Sequence, residues 1–262
     1  MPCSFHLNPI ARLKTILQEC EESLLGFERL PPRRLIDEMQ WKPDARSNYC
    51  SECGRSDHAA DRCGLATRET ESSYASVIRL GAYADPLATW IRELKFARWE
   101  VMGVQLGRLL GEACKDEFRR QDIRIHAVVP TPMPVFRRSM RGIDHVHVIA
   151  RAAAGVLKCP LKYPVGQRGG PPQSGRGVNE RRQRSRVFFS RRWGKPVNGE
   201  NILLLDDVLT TGATARSLCR ILQAQGARSI ALGVVAVAEI ARKNSSQRTG
   251  KPFSESEGKI QT

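Results

Sequence analysis

Apolar and polar positions change rhythm several times along this 262-residue chain. Ile10, Leu13, Ile16, Leu17, Leu24 and Leu25 form a helical stripe with polar residues between. Pro31-Pro32 and the polar stretch to Ser47 read as a linker, so residues 1–45 are expected to be a helical extension. A strand is predicted around Tyr74 to Leu80, then helices over 86–96 and 101–119 and a short strand from Ile125 to Val129, closed by prolines. Residues 143–157, rich in Val, Ile and Ala, predict a helix. Gly and Pro throughout 164–182 predict a mobile loop, and Val187-Phe188-Phe189 returns the chain to a strand. Ile202 to Leu205, four apolar residues in a row, predict a central strand of a parallel sheet. A helix follows to about Gln225 with Gly226 as its C-cap, and Ile230 to Ala238 is a further buried strand. Alternating strands and helices predict an α/β parallel sheet flanked by helices over 74–238. Beyond Glu239 the chain turns polar, and 239–262 is expected to be a disordered tail.

The pattern around the central strand also predicts chemistry. The apolar run ends in Asp206-Asp207, and a small hydroxyl-rich loop follows before a helix that starts near Ala213 or Thr214. Parallel sheets bind ligands beyond the carboxyl ends of their strands. A helix beginning there aims free N–H groups and the positive end of its dipole at the loop. Thr210, Thr211 and Thr214 add hydroxyl donors, and Gly212 permits close backbone approach or positive φ. That combination is a phosphate seat. Two aspartates would repel a bare phosphate, so the ligand should also carry a vicinal diol or a magnesium ion. A phosphorylated ribose offers both.

Composition narrows the context. Apolar content of 41% and charged content of 26% are those of a globular chain, but the net charge of +15 is not ordinary. Residues 165–195 hold nine basic side chains and one acid, Glu180, a field suited to pyrophosphate, nucleic acid or both. The other reading of that stretch is a solvated arginine-rich loop. No run of 18 apolar residues exists, so no membrane insertion is expected. The first 25 residues lack the pattern of a signal peptide. Three of the eight cysteines cluster within fourteen residues, which suggests a reduced, cytoplasmic chain with one metal site. Cys50-x2-Cys53-x4-His58-x4-Cys63 has the spacing of a zinc knuckle, and a closed set of three sulfurs and one imidazole suits structural zinc (Zn2+). The competing reading is a degenerate finger with His58 merely exposed.

These segments resemble, in order, the competence protein F (ComF) family of type I phosphoribosyltransferase-like proteins, over residues 46–238. Asp206 to Thr214 resembles the phosphoribosyl pyrophosphate (PRPP) signature. Val129-Pro130-Thr131-Pro132 resembles the family's Val-Pro-Val-Pro turn, and Arg141-Gly142-Ile143-Asp144-His145 its Arg-Gly-Phe-Asn-Gln. Ile91 with Leu94-Lys95-Phe96 resembles its Ile-x-x-Leu-Lys-Phe segment. Arg168, Pro171-Pro172-Gln173 and Glu180-Arg181-Arg182 resemble its mobile basic loop. The resemblance implies a type I phosphoribosyltransferase-like sheet with a small N-terminal zinc-binding module over 46–70. It implies PRPP with magnesium (Mg2+) as ligand, Asp206 and Asp207 on the ribose hydroxyls, and Thr210, Thr211, Gly212, Ala213 and Thr214 on the 5′-phosphate. The turn around Thr131 would then hold pyrophosphate, with Arg137, Arg138 and Arg141 in reach, under a hood over 166–184 that carries Arg168. Family members are associated with uptake of transforming DNA, which implies single-stranded DNA and a competence helicase and processing proteins as partners.

The expected activity is phosphoribosyl transfer to an unidentified acceptor, and the alternative is a non-catalytic PRPP sensor or DNA-binding module. The chain departs from the family at several points. Asp144 and His145 replace Asn and Gln, Arg184 falls where the family has Asn, and Ala66 falls where its fourth cysteine belongs. A catalytic role for His145 or His147 as proton acceptor would compete with a plain place on a helix face.

Overall fold

The computed structural model describes residues 30–58, 63, 74–133, 142–168, 188–191 and 197–239. Helix α1 (Pro32–Glu38) and a 3-10 turn (Arg46–Asn48) precede strand β1 (Ser76–Ala82). Helices α2 (Leu87–Phe96) and α3 (Glu100–Arg120) follow, then strand β2 (Ala127–Pro130) and helix α4 (His145–Leu157). Strands β3 (Val165–Arg168), β4 (Phe188–Arg191) and β5 (Asn201–Leu209) lead to helix α5 (Ala213–Ala224) and strand β6 (Ser229–Val237).

Four strands form one parallel sheet in the order β1-β6-β5-β2, and β3 and β4 pair separately as an antiparallel ribbon. Both faces of the parallel sheet are covered, which is why its strands are continuous apolar runs. Ile78, Leu80, Val128, Leu203 and Leu205 pack on one side with Leu106 and Leu110 of α3 and Ile149 and Ala153 of α4. Val129, Ile202, Leu204, Leu232 and Val234 pack on the other with Leu218 and Leu222 of α5. Helices α3 and α4 lie so close that a Cβ at Gly107 would stand 2.4 Å from the Ile149 carbonyl.

Two segments differ from the expected pattern. The polar stretch after Pro31-Pro32 is not a bare linker: Pro32 opens α1 at the first helical position, where its missing N–H costs nothing. Ile36 of that helix is buried in the core, and Trp41 meets Trp90 edge-on at 5.2 Å. The segment then covers the open edge of β1, where Asp44 N–H donates to Leu80 O and Val77 N–H to Ser51 O, each at 2.7 Å. An uncovered edge would invite pairing with another chain. The start of the expected mobile loop is strand β3, tied back to β4. The expected helix over 10–25, most of the 164–182 loop and the tail beyond Glu239 lie outside the described residues.

Candidate functional site

Strand β5 runs through the two aspartates rather than stopping before them. Val208 and Leu209 continue the ladder by pairing with Ala236 and Val237 of β6. The chain then turns through Thr210 and Thr211, both exposed, to Gly212 at φ +72°, and α5 begins at Ala213. Gly212, the N-cap of α5, has no side chain to cap it, and the Ala213 N–H donates to Thr211 Oγ1 at a long 3.4 Å. Among the described residues the next amides meet no capping side chain. Thr214 is half-buried in the first turn. A Cβ at Gly212 would lie 2.9 Å from the Arg216 guanidinium, so a cation rests against this turn. Sequence reasoning did not single out Arg216, although its place one turn after Gly212 carried the signal.

Thr131 follows β2, its N–H donating to Leu205 O at 2.8 Å. Among the described residues its buried hydroxyl has no aligned hydrogen-bond partner. Asp206 is half-buried and accepts the Asp207 N–H at 2.9 Å. Burial, and next the negative charge of Asp207, raise the Asp206 carboxyl to about 7, against the pull of the Asp207 N–H, Lys95 and the Thr131 hydroxyl. Asp207 is only 7% exposed, and Lys95 Nζ at 2.7 Å and His145 Nε2 at 2.6 Å both approach its Oδ2. Burial alone would raise this carboxyl, but His145 and Lys95 outweigh it and hold it well below the usual carboxylate range. Lys95 was legible only as part of a matching segment, with no role attached.

His145 is therefore an internal partner of Asp207, while His147 meets the Tyr163 hydroxyl with Nδ1 at 2.8 Å. Asp144 caps α4 by accepting the His147 N–H at 3.1 Å. Arg168 is the last residue of β3, and Arg137, Arg138 and Arg141 lie outside the described residues.

A second cluster sits beside β1. One ligand atom each from Cys50, Cys53, His58 and Cys63 lie within 4.8 Å of one another, and the three cysteines are buried. His58 Nδ1 lies 2.6 Å from Asp57 Oδ1, which leaves Nε2 turned to Cys53 Sγ at 3.2 Å. Three sulfurs and one imidazole, with a carboxylate behind the imidazole, fit a tetrahedral metal such as zinc. The cluster is bolted to the sheet: Arg79 of β1 donates to Gly54 O and Ser56 Oγ, each at 2.6 Å.

A parallel sheet whose strand enters an uncapped helix through an acid pair and a Thr-Thr-Gly turn defines a phosphoribosyltransferase-type fold. The phosphoribosyl transferase domain family matches residues 147–255. The chain is 28% identical to competence protein F of Haemophilus influenzae over 187 residues, covering 70% of this chain and 81% of the relative. It is 24% identical to DNA utilization protein YhgH of Escherichia coli (strain K12), covering 69% and 80%. These matches make the chain similar to competence protein F and YhgH, with a phosphoribosyltransferase-type domain. Among solved structures, purine phosphoribosyltransferase from Pyrococcus horikoshii aligns at 14% identity over 49% of this chain and 69% of that one. The TM-score is 0.32, a likeness too slight to argue from. Among the described residues, no helix is long and apolar enough to cross a membrane.

Proposed function

We propose that this chain binds PRPP, with magnesium carried in on the pyrophosphate, and transfers its phosphoribosyl group to a nitrogen acceptor in a competence-linked pathway of DNA use. The observation that supports this best is the start of α5, with a guanidinium against its Gly212 cap, seven residues after a half-buried carboxylate. The amides after Gly212 and the hydroxyls of Thr210, Thr211 and Thr214 would take the 5′-phosphate. Asp206 faces the sugar, and the Thr131 turn faces the pyrophosphate. Arg137, Arg141 and Arg168 are candidates for the same anion, because guanidinium groups match phosphate oxygens in pairs.

Transfer would break the anomeric C–O bond to pyrophosphate and form a C–N bond to the acceptor, while positive charge grows on the ribose ring. The protein's part is positioning, cationic support of the departing pyrophosphate and a carboxylate near the ring. The cysteine cluster would hold a structural zinc, since all four positions are filled by protein.

Calorimetry with PRPP, with and without magnesium, tests this reading. Binding should need magnesium and weaken in Asp206→Asn, and pyrophosphate release should appear with one member of a panel of bases. Binding without release against every base would make the chain a PRPP sensor. The relatives' role in DNA use and the basic stretch over 165–195 favour a second reading, a single-stranded-DNA module acting with competence helicase and processing proteins. No PRPP binding, together with salt-dependent affinity for single-stranded DNA, would favour it.

A further inference from the structure

The two adjacent aspartates stand on opposite faces of the sheet. Alternate residues of a strand point to opposite sides. Leu203 and Leu205 pack among α3 and α4, and Asp207 continues that row; Ile202 and Leu204 pack toward α5, and Asp206 continues theirs. Asp207 meets Lys95 and His145 on its side, with side-chain exposures of 10%, 18% and 4%. Lys95 lies in the last turn of α2, and His145 is the first residue of α4. The same two elements touch again nearby. A Cβ at Gly142, just before α4, would stand 2.9 Å from the Arg98 guanidinium in the turn after α2.

We propose that the aspartates divide the work: Asp206 alone accepts from the sugar hydroxyls, and Asp207 is a positioning residue. Through Lys95 and His145 it pins the end of α2 and the start of α4 to β5, beside the phosphate turn. This rests on the sugar-phosphate reading above. Lys95 Nζ and His145 Nε2 already crowd Asp207 Oδ2, and turning that oxygen toward a ligand would leave a buried ammonium and an imidazole without their partner, which is costly. Among the described residues Asp206 makes no such ion pair, and it is the more open of the two. It stands on the α5 side, next to the Thr131 hydroxyl.

Ribose 5-phosphate and 2-deoxyribose 5-phosphate, titrated against the full chain, separate the two roles. The wild type should prefer the hydroxylated sugar by about tenfold or more, the contribution of one hydrogen bond to a charged group. Asp206→Asn should erase that ratio. Asp207→Asn should melt earlier yet keep the ratio. Lys95→Met should weaken both sugars together and leave their ratio intact, which a residue remote from the site would not do.

If Asp207→Asn does not fold, the triple variant Lys95→Met, His145→Leu, Asp207→Val removes every charge of the cluster at once. Such a replacement is close to neutral for folding. It too should keep the ratio. Loss of the ratio in either folded Asp207 variant, or a wild type that binds both sugars equally, would overturn the division of work. A wild type that binds neither sugar nor PRPP would instead refute the site reading itself.

Discussion

Arg79 Nη1 donates to the Gly54 carbonyl at 2.6 Å, and so a strand residue holds the turn that carries two cysteines of the candidate metal cluster. The guanidinium is 2% exposed and also reaches Ser56 Oγ, Asp44 Oδ2 and Glu239 Oε1. It also lies 5.0 Å from the centre of the Tyr49 ring. One side chain thereby joins the edge segment, the cysteine cluster and the end of β6. Arg79→Met should cost about 3 kcal/mol, because it leaves buried acceptors unsatisfied around an apolar stem. Urea unfolding measures this, and a loss below about 1 kcal/mol would show that water replaces the guanidinium.

Metal analysis checks the second cluster. Purified protein should hold zinc in equal proportion to chain, and Cys53→Ser should lose it. Asp57→Asn should lower zinc affinity by about tenfold or more, since a partner behind a ligating imidazole fixes its orientation. Full zinc retention in His58→Ala would remove His58 as a ligand.

Gly212 is the position where the turn from Thr210 to Thr214, the proposed phosphate seat, tolerates least. Its φ of +72° disfavours any side chain, and a Cβ there meets Arg216. Gly212→Val should destabilise the protein by about 1–2 kcal/mol through the left-handed backbone alone. PRPP affinity should fall further than in Thr210→Ala, which removes one hydroxyl and leaves the backbone unchanged. Equal losses in the two variants would mean that the turn does not approach the ligand closely.

The pH dependence of stability has a defined sign. Asp206 holds its proton up to about 7 in the folded protein and releases it near the ordinary value of 3.8 when unfolded. Between those values folding takes up a proton, so this group makes stability fall as pH rises from about 4 to about 7, then level off. Asp207 acts the other way, and at lower pH: its depressed carboxyl contributes stability that is lost as pH falls below the ordinary range. Denaturant unfolding across this window should show the decline in wild type and a flatter profile in Asp206→Asn. An unchanged profile in that variant would refute the raised carboxyl.

The sequence alone determined the alternation of strands and helices, because covered parallel strands must be continuous apolar runs and the helices between them must carry a stripe. Ile202 to Leu205 and Ile230 to Val237 could hardly be anything else. It also determined which residues could form a phosphate turn, since Thr210 to Thr214 combine hydroxyls, a glycine and a helix start in one short span. The spacing of Cys50, Cys53, His58 and Cys63 selected the four residues that the structure brings together.

Only the tertiary structure decided what each charge faces. Asp206 and Asp207 look equivalent in a string of letters, but the ladder from β5 to β6 extends past them and turns them to opposite sides of the sheet. Which side holds Lys95 and His145 depends on helix packing over more than a hundred residues of chain, and no local pattern encodes it. Arg79 reads as a lone cation in an apolar strand until Gly54, Ser56, Asp44 and Glu239 surround it. Periodicity is a local property of the chain. The partner of a buried charge is set by which distant segments share the same small volume.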